Sequence, residues 1–408
     1  MLGMRVWSIA VAAAALAVAG CGDGVSPRGQ GSVEAVGAAE KGPVNYELET
    51  VAEGLDLPWS VAFLPTAVGG GVLITERPGA VKHVSPEGAV SEILDFADLE
   101  DAPVYTRDGF QAGLFEVSLH PQFETNRLVY FSYAGQVGET DSTLMVTRFR
   151  LTPGAAGAPP QLTQPERIFA ASPARFSGNH YGGRIAWGSD GTLLIPHGEA
   201  FHFREEAQKL DNHFGKLIRI RDDGSIPPDN PFVGQDGALP EIYSYGHRNP
   251  QGILRAADGR ILMHEHGPAG GDEINVIEAG GNYGWPVVSY GLDYSGARIS
   301  PFEALDETAQ PLLHFTPSIA PSGFAQYAGD AFPEWRGDLF LSALVNGHIR
   351  HIDVTPDGRL GEQRELFSEL EARFRDVRAG PDGFLYLLIE DTSGPNGRLV
   401  RAKPSGRS

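Results

Sequence analysis

The residues between Tyr245 and Pro286 are the part of the chain whose types are best suited to chemistry. Glycine, proline, carboxylate, imidazole and guanidinium groups are crowded together there, whereas a packed core needs apolar residues at a regular period. Glycine and proline shape tight backbone whose carbonyl oxygens, with a nearby carboxylate, can hold a hard cation such as calcium. The adjacent Arg248 and Asn249 offer several hydrogen-bond donors and one positive charge to a carbonyl-rich ligand. The stretch therefore predicts a site for a metal together with an oxygen-rich organic group.

Two further features outside this stretch can act on such a ligand. His180 lies among glycines in a loop, and an imidazole with its ordinary pKa can accept a proton near neutral pH. Most loop histidines have no chemical role, so from the residues alone His180 is a candidate base and nothing more. Arg373 and Arg375 are two residues apart, and on a strand both would point the same way and could grip carboxylates. A solvated face of an edge strand is the alternative interpretation of that pair.

Six turn-and-strand segments recur along the chain and indicate the scaffold that positions these groups. The segments are residues 71–74, 126–131, 190–195, 258–263, 337–341 and 382–387. Each is a tight turn followed by a strand that is apolar on both faces, as expected where every sheet is covered by two neighbours. We therefore predict an all-β fold, a six-bladed β-propeller with four-stranded blades, over residues 46–408. A pair of β-sandwiches with coincidental turns is the alternative.

The first 45 residues are typical of export and tether segments. Arg5 precedes an apolar run that is short for a membrane span, and the run ends in small residues before Cys21. This pattern predicts a lipoprotein-type signal segment over residues 1–21 with a lipid on Cys21, and an ordinary signal peptide is the alternative. Residues 22–45, rich in glycine, serine, alanine and proline, predict a flexible tether. We expect an exported, periplasmic protein that is anchored to the membrane only through Cys21.

Composition excludes several classes of function. The formal net charge is −20, which argues against nucleic acid as a partner. Cys21 is the only cysteine, so no disulfide can form within the chain. The sequence has no P-loop, no serine nucleophile elbow and no His-Glu-x-x-His motif. The chemical groups that remain as candidates are a general base, a cation site and an arginine pair that could bind an anion. We expect the protein to be a monomer or a dimer.

The chain resembles the soluble dehydrogenases of the glucose/sorbosone dehydrogenase family, which use pyrroloquinoline quinone (PQQ), and within them the aldose sugar dehydrogenase branch. The likeness is carried by residues 57–63, 75–79, 246–252, 265–273, 281–286, 373–377 and 381–383. It implies a six-bladed propeller that binds PQQ, an ortho-quinone with three carboxylates, together with Ca²⁺. The glucose-specialised branch carries a lysine after the fifth repeated strand, and residues 343–347 here contain none. This departure favours the broader aldose branch.

The resemblance also implies which residues form the site. His180 would be the general base, and Arg248 would stabilise charge on the quinone. The implied cofactor contacts are Gln111, Arg248, Asn249, Tyr294, Arg373 and Arg375. The carbonyls of Gly267 and Pro268 would bind the calcium ion that touches PQQ, and Glu273 and Tyr283 would belong to a second, structural calcium site.

The implied reaction is oxidation of an aldose at its anomeric carbon to a lactone, with an external electron acceptor as the second partner. A calcium-dependent sugar lactone hydrolase is a competing hypothesis, because six-bladed propellers also support that chemistry. A non-catalytic propeller that binds a glycan or a protein is another. The arginine pair argues against the hydrolase, and the presence of both His180 and Arg248 argues against a protein that has lost catalysis.

Overall fold

Each of the six repeated segments leads into the second strand of a four-stranded antiparallel sheet in the computed structural model. The structure describes residues 44–100, 102–105, 111–155, 157–176 and 178–406. The predicted signal segment and all but the last two residues of the predicted tether lie outside that part of the chain. Within the described residues, no helix is both long and apolar enough to cross a membrane.

The first three sheets, or blades, follow one another along the chain. Blade 1 contains β2 (Pro58–Phe63), β3 (Val72–Glu76), β4 (Ala80–Val84) and β5 (Val90–Asp95). Blade 2 contains β6 (Leu114–Leu119), β7 (Leu128–Val137), β8 (Asp141–Thr152) and β9 (Gln161–Ala170). Blade 3 contains β10 (Ala186–Trp187), β11 (Leu193–His197), β12 (Lys216–Ile220) and β13 (Ile242–Tyr245).

The last three blades include one that the N-terminal strand completes. Blade 4 contains β14 (Pro250–Arg255), β15 (Ile261–Glu265), β16 (Asp272–Ile277) and β17 (Leu313–Phe315). Blade 5 contains β18 (Pro321–Gln326), β19 (Leu339–Ala343), β20 (Ile349–Val354) and β21 (Leu360–Leu366). Blade 6 contains β22 (Arg373–Ala379), β23 (Leu385–Glu390), β24 (Gly397–Pro404) and β1 (Tyr46–Leu55). Because β1 pairs with β24, the two termini of the fold close the ring. The predicted six-bladed propeller with four-stranded blades is confirmed for the described residues.

Helices are few and short in the described part of the chain. They are α1 (Phe123–Asn126) and the 3₁₀ turns Thr66–Val68, Phe96–Asp98, Arg204–Gln208, Pro333–Trp335 and Ser368–Leu370.

The apolar core lies between blades. The second strand of blade 3 illustrates the pattern, because Leu193 and Ile195 pack against blade 2 whereas Leu194 packs against blade 4. Five further strands behave in the same way, so that one apolar cluster forms at each blade junction of the described chain. Alternate side chains of a strand point to opposite faces, so a strand between two neighbours is apolar at every position.

The two ends of a blade differ. The chain enters the first strand and leaves the second strand at the same end, because these strands are antiparallel neighbours. We call this end the site end, and the opposite end, where the first strand turns into the second, the turn end. His180 precedes the first strand of blade 3, and Arg248 precedes that of blade 4. Arg77 and Glu390 follow or close the second strands of blades 1 and 6. The candidate groups therefore meet at the site end.

Candidate active site

A cavity of about 470 Å³ opens at the site end, and all six blades contribute to its wall. Its lining residues are Leu57, Trp59, Arg77, Gln111, Phe115, Tyr181, Gly182, Gln251, His266, Ala320, Leu344, Val345, Arg373, Arg375, Glu390 and Thr392. A cavity of this volume is large enough for a small organic cofactor or substrate.

The wall from blades 1 and 6 carries an excess of positive charge. Arg373 Nε lies 3.3 Å from Glu390 Oε1, and Arg375 Nε lies 2.5 Å from Glu390 Oε2. Burial alone would raise the pKa of Glu390, but Arg375, Arg373 and Arg77 together lower it below its ordinary value. Glu390 is therefore ionised, and it neutralises only one of the three guanidinium groups. The remaining charge suits an anionic ligand with carboxylates.

Residues 343–347, where the glucose-specialised branch carries a lysine, contribute apolar side chains to the cavity wall. Leu344 and Val345 line the cavity just after the fifth repeated strand. Arg373 Nη1 donates a hydrogen bond of 3.0 Å to the Leu344 carbonyl. The backbone at this position thus orients an arginine of the cationic wall.

His180 lies at the edge of the cavity, next to the lining residues Tyr181 and Gly182. Its backbone N–H donates to Gln111 Oε1 at 2.9 Å. Its ring Nδ1 lies 3.2 Å from Glu199 Oε2, and both side chains are buried. A carboxylate beside Nδ1 favours the tautomer whose proton sits on that nitrogen, which leaves Nε2 able to accept a proton.

The protonation state of His180 suits a base. Burial lowers the pKa of the His180 imidazole below its ordinary value, and the Glu199 carboxylate only partly opposes this effect. The guanidinium groups of Arg248 and Arg175 also lower it. The imidazole is therefore neutral at pH values near 7. The Phe201 ring covers one side of it, with ring centroids 5.3 Å apart in an edge-on arrangement.

Arg248 connects this base to the predicted calcium region. Its backbone N–H donates to Glu265 Oε2 at 2.5 Å, and its Nη1 donates to the Gly267 carbonyl at 2.6 Å. Its Nη2 donates to the Tyr294 hydroxyl at 3.3 Å. The Arg248 carbonyl accepts a hydrogen bond of 2.9 Å from the backbone N–H of Glu199. One arginine thus ties the partner of His180 to the backbone around Gly267.

Asn249 is fully buried beside Arg248, and its amide is only half satisfied. Its Oδ1 accepts from Gln251 Nε2 at 3.0 Å, whereas its Nδ2 has no hydrogen-bond partner among the described residues. A buried amide donor without a partner costs about 1–3 kcal/mol, so such groups are rare unless a water or ligand satisfies them.

A second, smaller cavity of about 20 Å³ adjoins the first and shares His266 with it. Its lining includes the predicted calcium residues Gly267, Pro268, Glu273 and Tyr283, together with Glu265. Burial and the nearby Glu265 carboxylate raise the pKa of Glu273 to about 8. Two carboxylates that face a space of about one water volume disfavour each other's negative charge, and a bound cation would relieve that repulsion. The Tyr283 hydroxyl donates to the Val276 carbonyl at 2.7 Å, so a cation there would meet the Tyr283 backbone and not its hydroxyl.

The structure brings nearly all the predicted site residues to one region. Gln111, Arg373 and Arg375 line the larger cavity. Arg248, Gly267, Pro268, Glu273 and Tyr283 line the smaller one. His180 and Asn249 are buried beside these cavities without lining either, and Tyr294 is 64% exposed above Arg248.

Three site residues were missed by sequence reasoning, namely Arg77, Glu199 and Glu390. Each lies three or four residues beyond the apolar stretch of a repeated segment, as Arg77 does beyond Ile74. Counting the same short distance from each repeat would have marked these positions, but not the contacts that make them part of the site. Their residue types alone gave no signal, because exposed arginines and glutamates are common.

Comparison with known proteins agrees with this geometry. Residues 55–401 match the family model described as Glucose / Sorbosone dehydrogenase. The aldose sugar dehydrogenase YliI of Escherichia coli is 38% identical over 365 residues, which cover 89% of this chain and 94% of that protein. The quinoprotein glucose dehydrogenase B of Acinetobacter calcoaceticus is 27% identical over 429 residues, which cover 86% of each chain.

A solved structure extends the likeness to the fold. The apo-form crystal structure of the soluble aldose sugar dehydrogenase from Escherichia coli superposes with a TM-score of 0.80 at 36% identity, covering 88% of this chain and all of that one. The family model extends from the end of β1 into β24 and includes every residue that lines either cavity, and the chain therefore belongs to the glucose/sorbosone dehydrogenase family of oxidoreductases.

Proposed function

We propose that this protein oxidises aldose sugars at the anomeric carbon to lactones in a PQQ-dependent reaction, with His180 as the general base. The observation that carries the proposal is the pairing of two features at one end of the channel. One is a wall with three arginines and a single glutamate, and the other is a buried, neutral histidine beside a carboxylate. A redox cofactor with several carboxylates uses the first feature, and alcohol oxidation uses the second.

The residues present fit PQQ. Arg77, Arg373 and Arg375 match the need of a tricarboxylate for guanidinium partners, and Glu390 holds two of them in a fixed orientation. The unpartnered Nδ2 of Asn249 and the amide of Gln111 supply neutral donors for quinone or carboxylate oxygens. The quinoprotein relative supports the same cofactor class. When bound, PQQ supplies the two-electron acceptor that takes hydride from the sugar.

The chain itself supplies the proton acceptor. His180 Nε2 accepts the proton of the anomeric hydroxyl as the C–H bond breaks, and Glu199 stabilises the imidazolium that results. The cationic neighbours Arg248 and Arg175 disfavour a protonated resting state, so the base is free before each turnover. Proton transfer by a positioned residue contributes about 10²–10⁴-fold to a rate.

Arg248 provides the fixed positive charge beside this base. Its guanidinium is held over the Trp285 ring at 5.3 Å and by the Gly267 carbonyl, so it needs little reorganisation when negative charge develops nearby. Calcium at the Gly267 and Pro268 carbonyls would add a Lewis acid to the same region. Glu273, Glu265 and Tyr283 would hold a second, structural calcium ion in the smaller cavity.

The substrate class follows from the open rim of the site. Tyr294 is 64% exposed and stacks with Phe201 at 6.3 Å, so an aromatic surface lies next to the base. Such a surface recognises the apolar face of a sugar ring without reading individual hydroxyl groups. The absence of the lysine found in the glucose-specialised branch also favours a broad range of aldoses. An external electron acceptor would reoxidise the cofactor. A lipid on Cys21 would anchor the protein to a membrane in the periplasm.

The test is dye-linked oxidation of a panel of aldoses by purified apo-protein. We expect activity that requires both PQQ and Ca²⁺ and that extends over several aldoses. Lactone hydrolysis is measured in parallel, because a calcium-dependent hydrolase would need only the metal. Sugar oxidation that is absent with both additions, or that is unchanged without PQQ, would refute the proposal.

A further inference from the structure

Arg175 is buried beside the His180 loop, where the Glu199 carboxylate acts on its charge from beyond ion-pair distance. Its side chain is only 3% exposed, and among the described residues no carboxylate lies within ion-pair distance of its guanidinium. Instead the group lies between two aromatic rings, 4.5 Å from the Tyr181 centroid and 5.3 Å from that of Phe214. Burying a charge without an ion pair is costly, so the contacts of this arginine indicate why it is retained.

Those contacts are with the loop that carries the base. Nη2 of Arg175 donates to the carbonyl of His180 at 3.3 Å and to that of Asn179 at 3.5 Å. Nη1 lies 3.0 Å from His197 Nε2. Burial lowers the pKa of His197 well below its ordinary value, so that ring is neutral and its Nε2 accepts from the arginine. The guanidinium thus bridges the base-carrying loop and the end of the neighbouring strand β11.

The loop needs such support because its backbone is strained. His180 has a φ of +56°, in the left-handed region that non-glycine residues adopt at a cost. Its N–H is held by Gln111, and its ring lies beside Glu199. Its carbonyl packs so closely on Gly198 that a Cβ at that glycine would lie 2.4 Å from the oxygen. Among the described side chains, that of Arg175 donates a hydrogen bond to that carbonyl.

We propose that Arg175 is a positioning residue for the general base, acting through the backbone of the His180 loop. The guanidinium fixes the His180 carbonyl and so keeps the imidazole against Glu199 at the edge of the cavity. This inference rests on the proposed role of His180 in sugar oxidation. Arg175 does not line either cavity, so its effect reaches the substrate only through the loop.

The first test compares Arg175→Met and Arg175→Lys with the wild type, each loaded with PQQ and Ca²⁺. In both variants we expect kcat per loaded site to fall about 10- to 100-fold, because a small displacement of a catalytic group has effects of that size. The KM for the sugar and the Kd for PQQ should change less than about threefold, because neither binding surface is altered. A role confined to stability would reduce the fraction of folded protein and leave kcat per loaded site unchanged.

The second test uses histidine NMR on the apo-protein, with a His180→Gln variant to assign the signal. The charged groups that face the His180 ring are Glu199, Arg248 and Arg175, and His266 lies nearby. Removing the cation in Arg175→Met should raise the pKa of His180, whereas Arg175→Lys should retain it near the wild-type value. This readout needs no turnover, so it tests whether the Arg175 charge lies against the His180 loop even if the wild type oxidises no aldose and the proposed function fails, and the loss of kcat in Arg175→Lys then separates positioning from charge.

Arg219→Met is the matched control, because Arg219 lies on β12 of blade 3, the blade that the His180 loop leads into, but at its turn end. It pairs with Asp190 at 2.6 Å, far from the His180 loop in the strand order. We expect this variant to lower the melting temperature without changing kcat per loaded site. Wild-type kcat and an unshifted His180 signal in Arg175→Met would overturn the proposal. Failure of both Arg175 variants to fold would overturn it as well, since it would show that the whole blade depends on the arginine.

Discussion

The two ends of the propeller are built by different rules. At the turn end, three blades use the same device, in which an aspartate accepts from the backbone N–H two residues later. Asp190, Asp258 and Asp382 make this contact at 3.0–3.2 Å, each before a glycine in the left-handed region. Arg127, just before β7, is a non-glycine residue in that region at the turn end. At the site end of the described chain such residues are more numerous, and they include Leu57, His180, Ala200, Phe201 and Ala320.

The difference shows that strained backbone and unsatisfied polar groups are concentrated at the site end of this fold. Repeated turns with satisfied hydrogen bonds specify the blades, and we expect substitutions in them to leave the active-site residues in place. Within the described residues, the site end holds strained backbone, a buried arginine without an ion pair and polar atoms without hydrogen-bond partners, such as Asn249 Nδ2 and Arg248 Nε. Departures of this kind persist where function requires them. Variants at the two ends should therefore separate activity from stability.

The largest expected effect is loss of the base. His180→Ala should lower kcat by about 10²–10⁴-fold, because it removes the proton acceptor, while PQQ still binds. Stopped-flow oxidation of a good aldose with the loaded variant measures this. Near-normal kcat would show that His180 is not the general base. It would also show that a variant at the site end affects activity no more than one at the turn end.

The cationic wall should dominate cofactor affinity. Arg375→Gln leaves Glu390 with a weaker partner and deletes a charged donor, so the Kd for PQQ should rise about 10- to 100-fold. Calorimetry on the apo-protein measures it. The control is Arg359→Gln, which removes an exposed arginine from a turn and should leave the Kd unchanged. Equal affinity in both variants would contradict the assignment of this wall to the cofactor carboxylates.

The pH dependence should report the buried base. Because burial lowers the pKa of His180 below the ordinary value of 6.5, the imidazole stays neutral to lower pH, and kcat/KM should fall only below pH 6.5. The activity is lost as pH falls, since protonation removes the acceptor. A pH profile at saturating PQQ measures this limb. A limb at or above pH 6.5 would indicate that His180 is hydrated and not held as described.

The smallest effect should come from the turn end. Asp258→Ala removes the acceptor for the Arg260 N–H at 3.0 Å and should lower the free energy of unfolding by about 1 kcal/mol. Its kcat and its Kd for PQQ should equal those of the wild type. Chemical denaturation with parallel assays measures both. A lower kcat in the fraction of Asp258→Ala that is folded would contradict the assignment of catalysis to the site end alone.

Much of the turn end could be predicted from the sequence, because its signals are local. An aspartate and a glycine before a doubly apolar strand indicate a turn and a buried strand within six residues, as residues 258–263 do. The same local logic placed Arg373 and Arg375 on one wall, since strand alternation fixes their side. The resemblance to the dehydrogenase family supplied His180 and Arg248.

The rest could not be predicted because it depends on contacts between distant segments. Glu199 is 19 residues from His180 and is recognised only when the loop before β10 meets the end of β11. Glu390 is recognised as a site residue only when its ion pairs with Arg373 and Arg375, on the neighbouring strand, and the approach of Arg77 from another blade are seen. Arg175 was not singled out, because nothing in the sequence shows that it is buried without an ion pair to any described residue.

The most direct test of the central claim is an anaerobic single turnover. Apo-protein is loaded with one equivalent of PQQ and with Ca²⁺, and the absorbance of the bound quinone is followed after an aldose is added. The account predicts loss of the quinone signal in an amount equal to the loaded wild-type protein, with no loss on that timescale in loaded His180→Ala. Bound quinone that no aldose reduces in the wild type would contradict it.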